Sequence, residues 1–278
     1  MADASTARLV VEASFFWTRR LSPSHLWAMI TTEQFASFDG AQIAYRTAGE
    51  GRPVLMLHGF IASAQANWID PGIFQAVVDA GFRVIAPDLR GHGDSAAPED
   101  AAAWPGDVLP MDQEALIAHL GLTDYDLVGY SLGARTAVRM LVRGARPRRC
   151  VLGGMGDSGV MQAGARAAMF EDSIRNGEAA ANPQTGKYIQ ARIKAGGMNP
   201  QALLGVLASF VPTTADDLAG IPTPSLIVCG RDDDDNGSAE GLAAAMPDAR
   251  AVRIAGNHLT AVAEPALASE ITGFLGAT

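Results

Sequence analysis

The 278-residue sequence predicts an α/β protein, a mostly parallel central sheet with helices on both faces. Three observations carry that expectation. Short, wholly apolar runs recur along the chain, as strands buried on both faces require. Helix-length stretches separate them, in the alternation that crossover connections produce. Hydrophobic residues make up 48% of the chain against 18% charged, enough apolar material for one large core and too much for global disorder.

The elements follow in order. Phe35–Phe38 and Gln42–Thr47 flank Asp39-Gly40, a pair that supplies the positive φ of a tight hairpin turn. Strand runs lie at Pro53–Leu57, Phe82–Ala86, Tyr125–Val128, Cys150–Leu152, Ser225–Cys229 and Ala249–Ile254. Helical stretches lie at Ile73–Ala80, Met111–Leu120, Leu132–Arg143 and Ala239–Ala245. Residues 29–278 are therefore expected to form one domain. Residues 1–28 are expected to be an extension outside the fold, since Met29 followed by Ile30-Thr31-Thr32 resembles an ordinary chain start. Met155–Asp217 breaks the alternation, with helical patterns such as Leu203, Leu207 and Phe210 but no strand run. It is expected to form a helical lid (155–217) over the strand ends, where open sheets bind ligands.

Charge and composition narrow the function. Lys and Arg number 21 and Asp and Glu 30, a net charge of −9, which disfavours nucleic-acid phosphates as partners. Two cysteines are too few for a disulfide scaffold or a cysteine-rich zinc site. No apolar run approaches the ~20 residues of a membrane span. The expectation is a cytoplasmic protein with a small-molecule substrate and no nucleic-acid or membrane partner.

The segment Gly129-Tyr130-Ser131-Leu132-Gly133 lies between a strand and a helix. A sharp strand-to-helix turn strains the serine backbone, lifts its hydroxyl above the sheet and sets it at a helix amino terminus. The simpler alternative is a serine that only caps the helix. A nucleophilic serine needs a base. Among five histidines, His25 falls in the extension, His119 suits the end of a helix, and His58 and His92 suit backbone-ordering roles in loops. His258 alone is both downstream of Ser131 and on a loop after a strand, and is the expected base. The acid belongs in Gly230-Arg231-Asp232-Asp233-Asp234-Asp235, where four aspartates leave the choice open. That loop imitates a calcium loop, but Ala243 stands where the closing glutamate belongs, and no metal is expected.

Leu57-His58-Gly59-Phe60, Asp88-Leu89-Arg90-Gly91-His92-Gly93-Asp94-Ser95 and the Gly129–Gly133 turn together resemble the α/β-hydrolase superfamily over roughly residues 35–275. The resemblance implies the α/β-hydrolase fold and catalytic roles for Ser131, Asp233 and His258, with Asp232 the fallback acid. It also implies that the amides of Phe60 and Leu132 form an oxyanion hole, and that no cofactor is required. Relatives that open epoxides or remove halogen carry aspartate at the turn, so Ser131 points to acyl transfer. The implied activity is a serine hydrolase acting on a small carboxylic ester, lactone or thioester. A carbon–carbon hydrolase of ring-fission diketones and a non-catalytic binding member remain alternatives. Arg135, Arg139 and Arg143 recur at helical spacing, either as a stripe toward an acidic ligand or, more simply, as a solvated edge. The methionines and phenylalanines of the insertion either line an apolar acyl pocket or, more simply, pack in the core.

Overall fold

A computed structural model describes residues 29–277. The expected extension over 1–28, with His25, lies outside the described residues. The strands are β1 (Thr31–Ala36), β2 (Gln42–Ala48), β3 (Pro53–Leu57), β4 (Arg83–Pro87), β5 (Asp126–Tyr130), β6 (Cys150–Gly153), β7 (Ser225–Gly230) and β8 (Ala249–Ile254). They form one sheet in the order β1-β2-β4-β3-β5-β6-β7-β8. β1, β2 and β4 pair antiparallel, and every pair from β4 through β3 to β8 is parallel. The order turns back between β3 and β5, so the loops leaving those two adjacent strands diverge and leave a crevice at their carboxyl ends.

The apolar strand runs are explained by two cores. Leu55 and Leu57 of β3 face one cluster with Leu127, Leu152 and Ile227, while Val54 and Met56 face another with Val128, Val151 and Val228. Helices α1 (Ile73–Asp79), α2 (Val108–His119) and α3 (Leu132–Val142) follow in chain order among the first strands. α2 starts earlier than the sequence suggests, with Pro110 in its first turn, where a missing N–H breaks no helical bond.

Between β6 and β7 the chain makes an all-helical excursion: α4 (Asp157–Met161), α5 (Ala163–Asn176), α6 (Pro183–Ala195), α7 (Pro200–Ala208) and α8 (Ala215–Ala219). Asn182 and Asn199 cap α6 and α7 through their side chains, each followed by a proline at the first helical position. Ile174, Ile189, Ile193, Leu203 and Leu207 form a third cluster, which reaches the sheet at Ile61 in the loop after β3. Phe210 lies beyond α7 rather than on it, but packs against this cluster. α9 (Ala239–Ala244) and α10 (Pro265–Gly276) complete the fold. α10 is absent from the sequence expectation, although buried Leu267, Ile271 and Leu275 recur at helical spacing. No described helix is long and apolar enough to cross a membrane.

One ion-pair network joins the hairpin to the sheet end. The buried Arg90 guanidinium donates to both carboxylate oxygens of buried Asp112 at 2.7 and 3.0 Å and to both of Asp39 at 2.6 and 2.8 Å. Ser37 donates to Asp112 at 2.6 Å. Removing one partner of a buried pair leaves a charge without compensation. Asp112→Ala is expected to lower stability by about 3–5 kcal/mol, read as a fall in the denaturant midpoint. A shift below ~1 kcal/mol would show that Asp39 alone suffices.

Candidate active site

Crowding of the backbone positions Ser131. A Cβ on Gly133 would lie 2.0 Å from the Leu57 carbonyl oxygen, and one on Gly129 would lie 2.3 Å from that of Gly133. The turn from β5 into α3 is thus packed to backbone contact, and Ser131 takes φ 53°, ψ −112°, a conformation that costs a non-glycine residue on the order of 1–3 kcal/mol. Its N–H donates to Gly153 at 2.8 Å. Its side chain makes no capping bond to α3, which removes the simple cap as its role.

The His258 loop follows β8. A Cβ on Gly230, at the end of β7, would meet the Gly256 carbonyl oxygen at 2.0 Å, so the acidic loop and the histidine loop touch backbone to backbone. His258 Nε2 lies 2.9 Å from Ser131 Oγ, and Nδ1 lies 3.1 and 3.2 Å from the Asp233 carboxylate oxygens. A carboxylate only accepts, so Nδ1 carries the ring proton and Nε2 offers its lone pair to the serine hydroxyl. Of the four adjacent aspartates Asp233 alone is buried; Asp232, Asp234 and Asp235 are exposed. Tyr130 holds the arrangement from below: its hydroxyl donates to the His258 carbonyl at 2.8 Å, and burial pushes its pKa up. The sequence reading missed Tyr130; its place beside Ser131 at the strand end was the available signal.

Two amides converge beside the serine. Gly59 N–H donates to Asn67 at 2.9 Å and Ile61 N–H to His92 Nε2 at 3.2 Å, whereas the intervening Phe60 N–H has no acceptor among the described residues. Leu132 N–H, at the first turn of α3, has none either. Phe60, Ser131 and Leu132 share the wall of a cavity of about 330 Å³. Met155, Met169, Phe170 and Phe210 supply apolar wall, the pocket-lining alternative for the insertion's methionines and phenylalanines, and Met155 also packs in the core.

His58 and His92 brace the loop that carries Phe60. His58 Nε2 accepts from Leu89 N–H at 2.9 Å and its Nδ1 donates to Gly59 at 2.7 Å. Both rings are buried and neutral; burial lowers each pKa, and the neighbouring His58 helps bring His92 down to about 3. His119 is exposed, stacked on Phe35 at 5.1 Å and remote from Ser131 in the sheet order.

The arginine stripe divides: Arg143 is exposed, as a solvated edge would be, whereas Arg135 lines the cavity. Arg135 is buried in the cavity wall, not solvated. Arg139 pairs with both oxygens of buried Asp107 at 2.6 and 2.9 Å, and Arg143 pairs with Glu114. Gly159, Val160 and Val211 of the excursion enclose Arg135, which periodicity along one helix does not reveal.

The chain belongs to the alpha/beta hydrolase family, whose model matches residues 54–269. A 108-residue stretch is 40% identical to the non-heme chloroperoxidase CPO-A1 of Kitasatospora aureofaciens, covering 38% of this chain and 36% of that protein. A 107-residue stretch is 34% identical to a soluble epoxide hydrolase of Corynebacterium sp. (strain C12), covering 38% and 35%. The matches thus span about a third of these relatives' length. Among solved structures, the esterase RhEst1 of Rhodococcus sp. ECU1013 superposes with a TM-score of 0.69 at 24% identity, covering 88% of this chain and 98% of that one.

The depressed His92 pKa sets a pH dependence. The folded state favours the neutral ring, so its contribution is complete above the unfolded value of ~6.5 and is lost as pH falls toward about 3. Between pH 7 and pH 4.5, His92→Gln is expected to lose about 1–3 kcal/mol less stability than the wild type in denaturant titrations. Parallel losses in the two proteins would mean that His92 is protonated in the fold.

Proposed function

We propose that the protein is a serine hydrolase that cleaves a small carboxylic ester, lactone or thioester through an acyl-enzyme on Ser131. The observation that carries this reading is the continuous path from Asp233 through His258 to Ser131, each step within hydrogen-bond reach, beside two amides without acceptors. Ser131 Oγ attacks the carbonyl carbon while His258 Nε2 takes its proton. The oxygen that gains charge is received by the Phe60 and Leu132 amides, at the amino terminus of α3. Buried Asp233 holds the Nδ1–H tautomer and stabilises the imidazolium. His258 then protonates the leaving oxygen or sulfur, and the carbonyl reforms as acyl-serine. Water, deprotonated by His258, releases the acid and restores Ser131. α4–α8 act as the lid, and the substrate enters between them and the sheet.

Serine supports acyl transfer over the chemistry named for the epoxide-hydrolase relative. Opening an epoxide with a serine hydroxyl would give an alkyl ether, which has no carbonyl for water to attack and would end turnover. The proton path needs neither metal nor nucleotide to activate its nucleophile.

Ser131→Ala is expected to lower kcat/KM for p-nitrophenyl acetate by at least ~10³-fold, and Asp233→Asn by ~10²–10⁴-fold through the wrong histidine tautomer. A fluorophosphonate should add its mass to the Ser131 peptide of the wild type and not to Ser131→Ala. Equal hydrolysis by wild type and Ser131→Ala would overturn the reading.

A further inference from the structure

The cavity beside Ser131 holds a positive charge that the reaction scheme does not use. Arg135 lies one helical turn beyond Ser131; its N–H donates to the Ser131 carbonyl at 3.0 Å, so both residues share one side of α3. Arg135 is only 5% exposed, and it lines the cavity. Its guanidinium donates to three backbone carbonyls, Gly159 at 2.6 Å, Val160 at 3.2 Å and Val211 at 2.9 Å, and lies over the Phe210 ring at 4.7 Å. Its Nε–H finds no acceptor among the described residues.

None of these partners carries a full negative charge. No described carboxylate lies within 4.0 Å of Arg135, and Asp107, the acid that acts on it, is held by both oxygens on Arg139. Buried Arg90, by contrast, has two carboxylates. Arg166, the other arginine on the cavity wall, is neutralised by Asp235 at 3.1 Å. Burial and the nearby Arg139 charge lower the Arg135 pKa to about 10, so it stays cationic at neutral pH. An isolated buried charge is costly unless something completes the pair. The three carbonyls occupy only part of the guanidinium's donors and leave the charge without a partner among the described residues.

We propose that Arg135 is the substrate-recognition residue of this site, pairing with a carboxylate on the acyl group, so that the preferred substrates are half-esters of short dicarboxylic acids. This rests on the reading of Ser131 as the acyl acceptor. A guanidinium fork matches a carboxylate in shape and charge. Four residues of helical rise separate the two by about 6 Å along α3, the span of a short aliphatic chain. Met155, Met169, Phe170 and Phe210 give that chain an apolar bed. The carboxylate is held by Arg135 while the ester carbonyl meets Ser131 and the amides of Phe60 and Leu132.

Monomethyl glutarate and methyl pentanoate have the same chain length and differ in the terminal charge. The wild type is expected to favour monomethyl glutarate in kcat/KM by about tenfold or more, the loss incurred when a buried charged group goes unpaired. Arg135→Met should collapse that ratio, whatever its absolute rates, and Arg135→Lys should restore part of it. A purely structural arginine would lower both rates together and leave the ratio unchanged, which overturns the proposal, as does a wild type without preference. Calorimetry separates this from the acyl-transfer reading: Ser131→Ala should bind monomethyl glutarate, and Ser131→Ala/Arg135→Met should not. Arg135-dependent binding in a protein that hydrolyses neither ester would retain the anion site and overturn the hydrolase. Hydrolysis of both esters alike would do the reverse. Should Arg135→Met not fold, protection of wild-type Ser131 from fluorophosphonate decides: glutarate must protect and glutaramide must not.

Discussion

The site depends on a close approach of main chain to main chain. Ser131 is held at a positive φ because β5 and α3 meet so tightly that Gly129 and Gly133 admit no side chain. Strain of this kind persists only where the surroundings over-determine it. Here the surroundings are the two neighbouring strand ends, β3 through Leu57 and β6 through Gly153. Because the turn is clamped from both sides, the hydroxyl cannot relax into a cap, and the first amide of α3 stays unpaired. The Gly230–Gly256 contact does the same for the other half of the site, fixing the Asp233 loop against the His258 loop.

Three histidines show how burial and partner decide what an imidazole does. His58 and His92 are enclosed, each accepting a backbone N–H at Nε2, and desolvation keeps them neutral. They act as rigid braces between the loops after β3 and β4. His258 is also largely buried, but a carboxylate backs its Nδ1 and a hydroxyl faces its Nε2. That pairing leaves Nε2 to accept from the hydroxyl on one side and sets a carboxylate beside Nδ1–H on the other. Tyr130 adds the remaining constraint by fixing the backbone that carries the ring.

Sheet, crossover helices and Ser131 were legible in the sequence because each rests on local rules: apolar runs, glycine spacing, and a turn between a strand and a helix. His258 followed from chain order and from its strand-end loop. The choice of Asp233 among four aspartates rested on resemblance, since only tertiary packing makes one of them buried. The solvated-edge reading of Arg135 fails for a similar reason. Charges at helical spacing ordinarily face water, and what buries this one is a long-range contact with Gly159, Val160 and Val211. α10 was overlooked because its three buried residues are spread among small ones.

In the proposed reading, chemistry and specificity divide between the sheet and the excursion. Ser131, Asp233, His258 and the Phe60 amide all sit on turns after strands, where the sheet fixes their separations. The apolar cavity wall instead comes largely from α5 and from residues flanking α4 and α7, which can change in length and composition without disturbing β5 or β8. Arg135 belongs to both sets. Its backbone is part of the helix that follows the Ser131 turn, while its guanidinium holds carbonyls of the excursion. Such a residue ties the excursion to the turn that carries Ser131. In its proposed role, selecting a ligand by length as well as by charge, Arg135 gains from being rooted in the rigid half of the molecule.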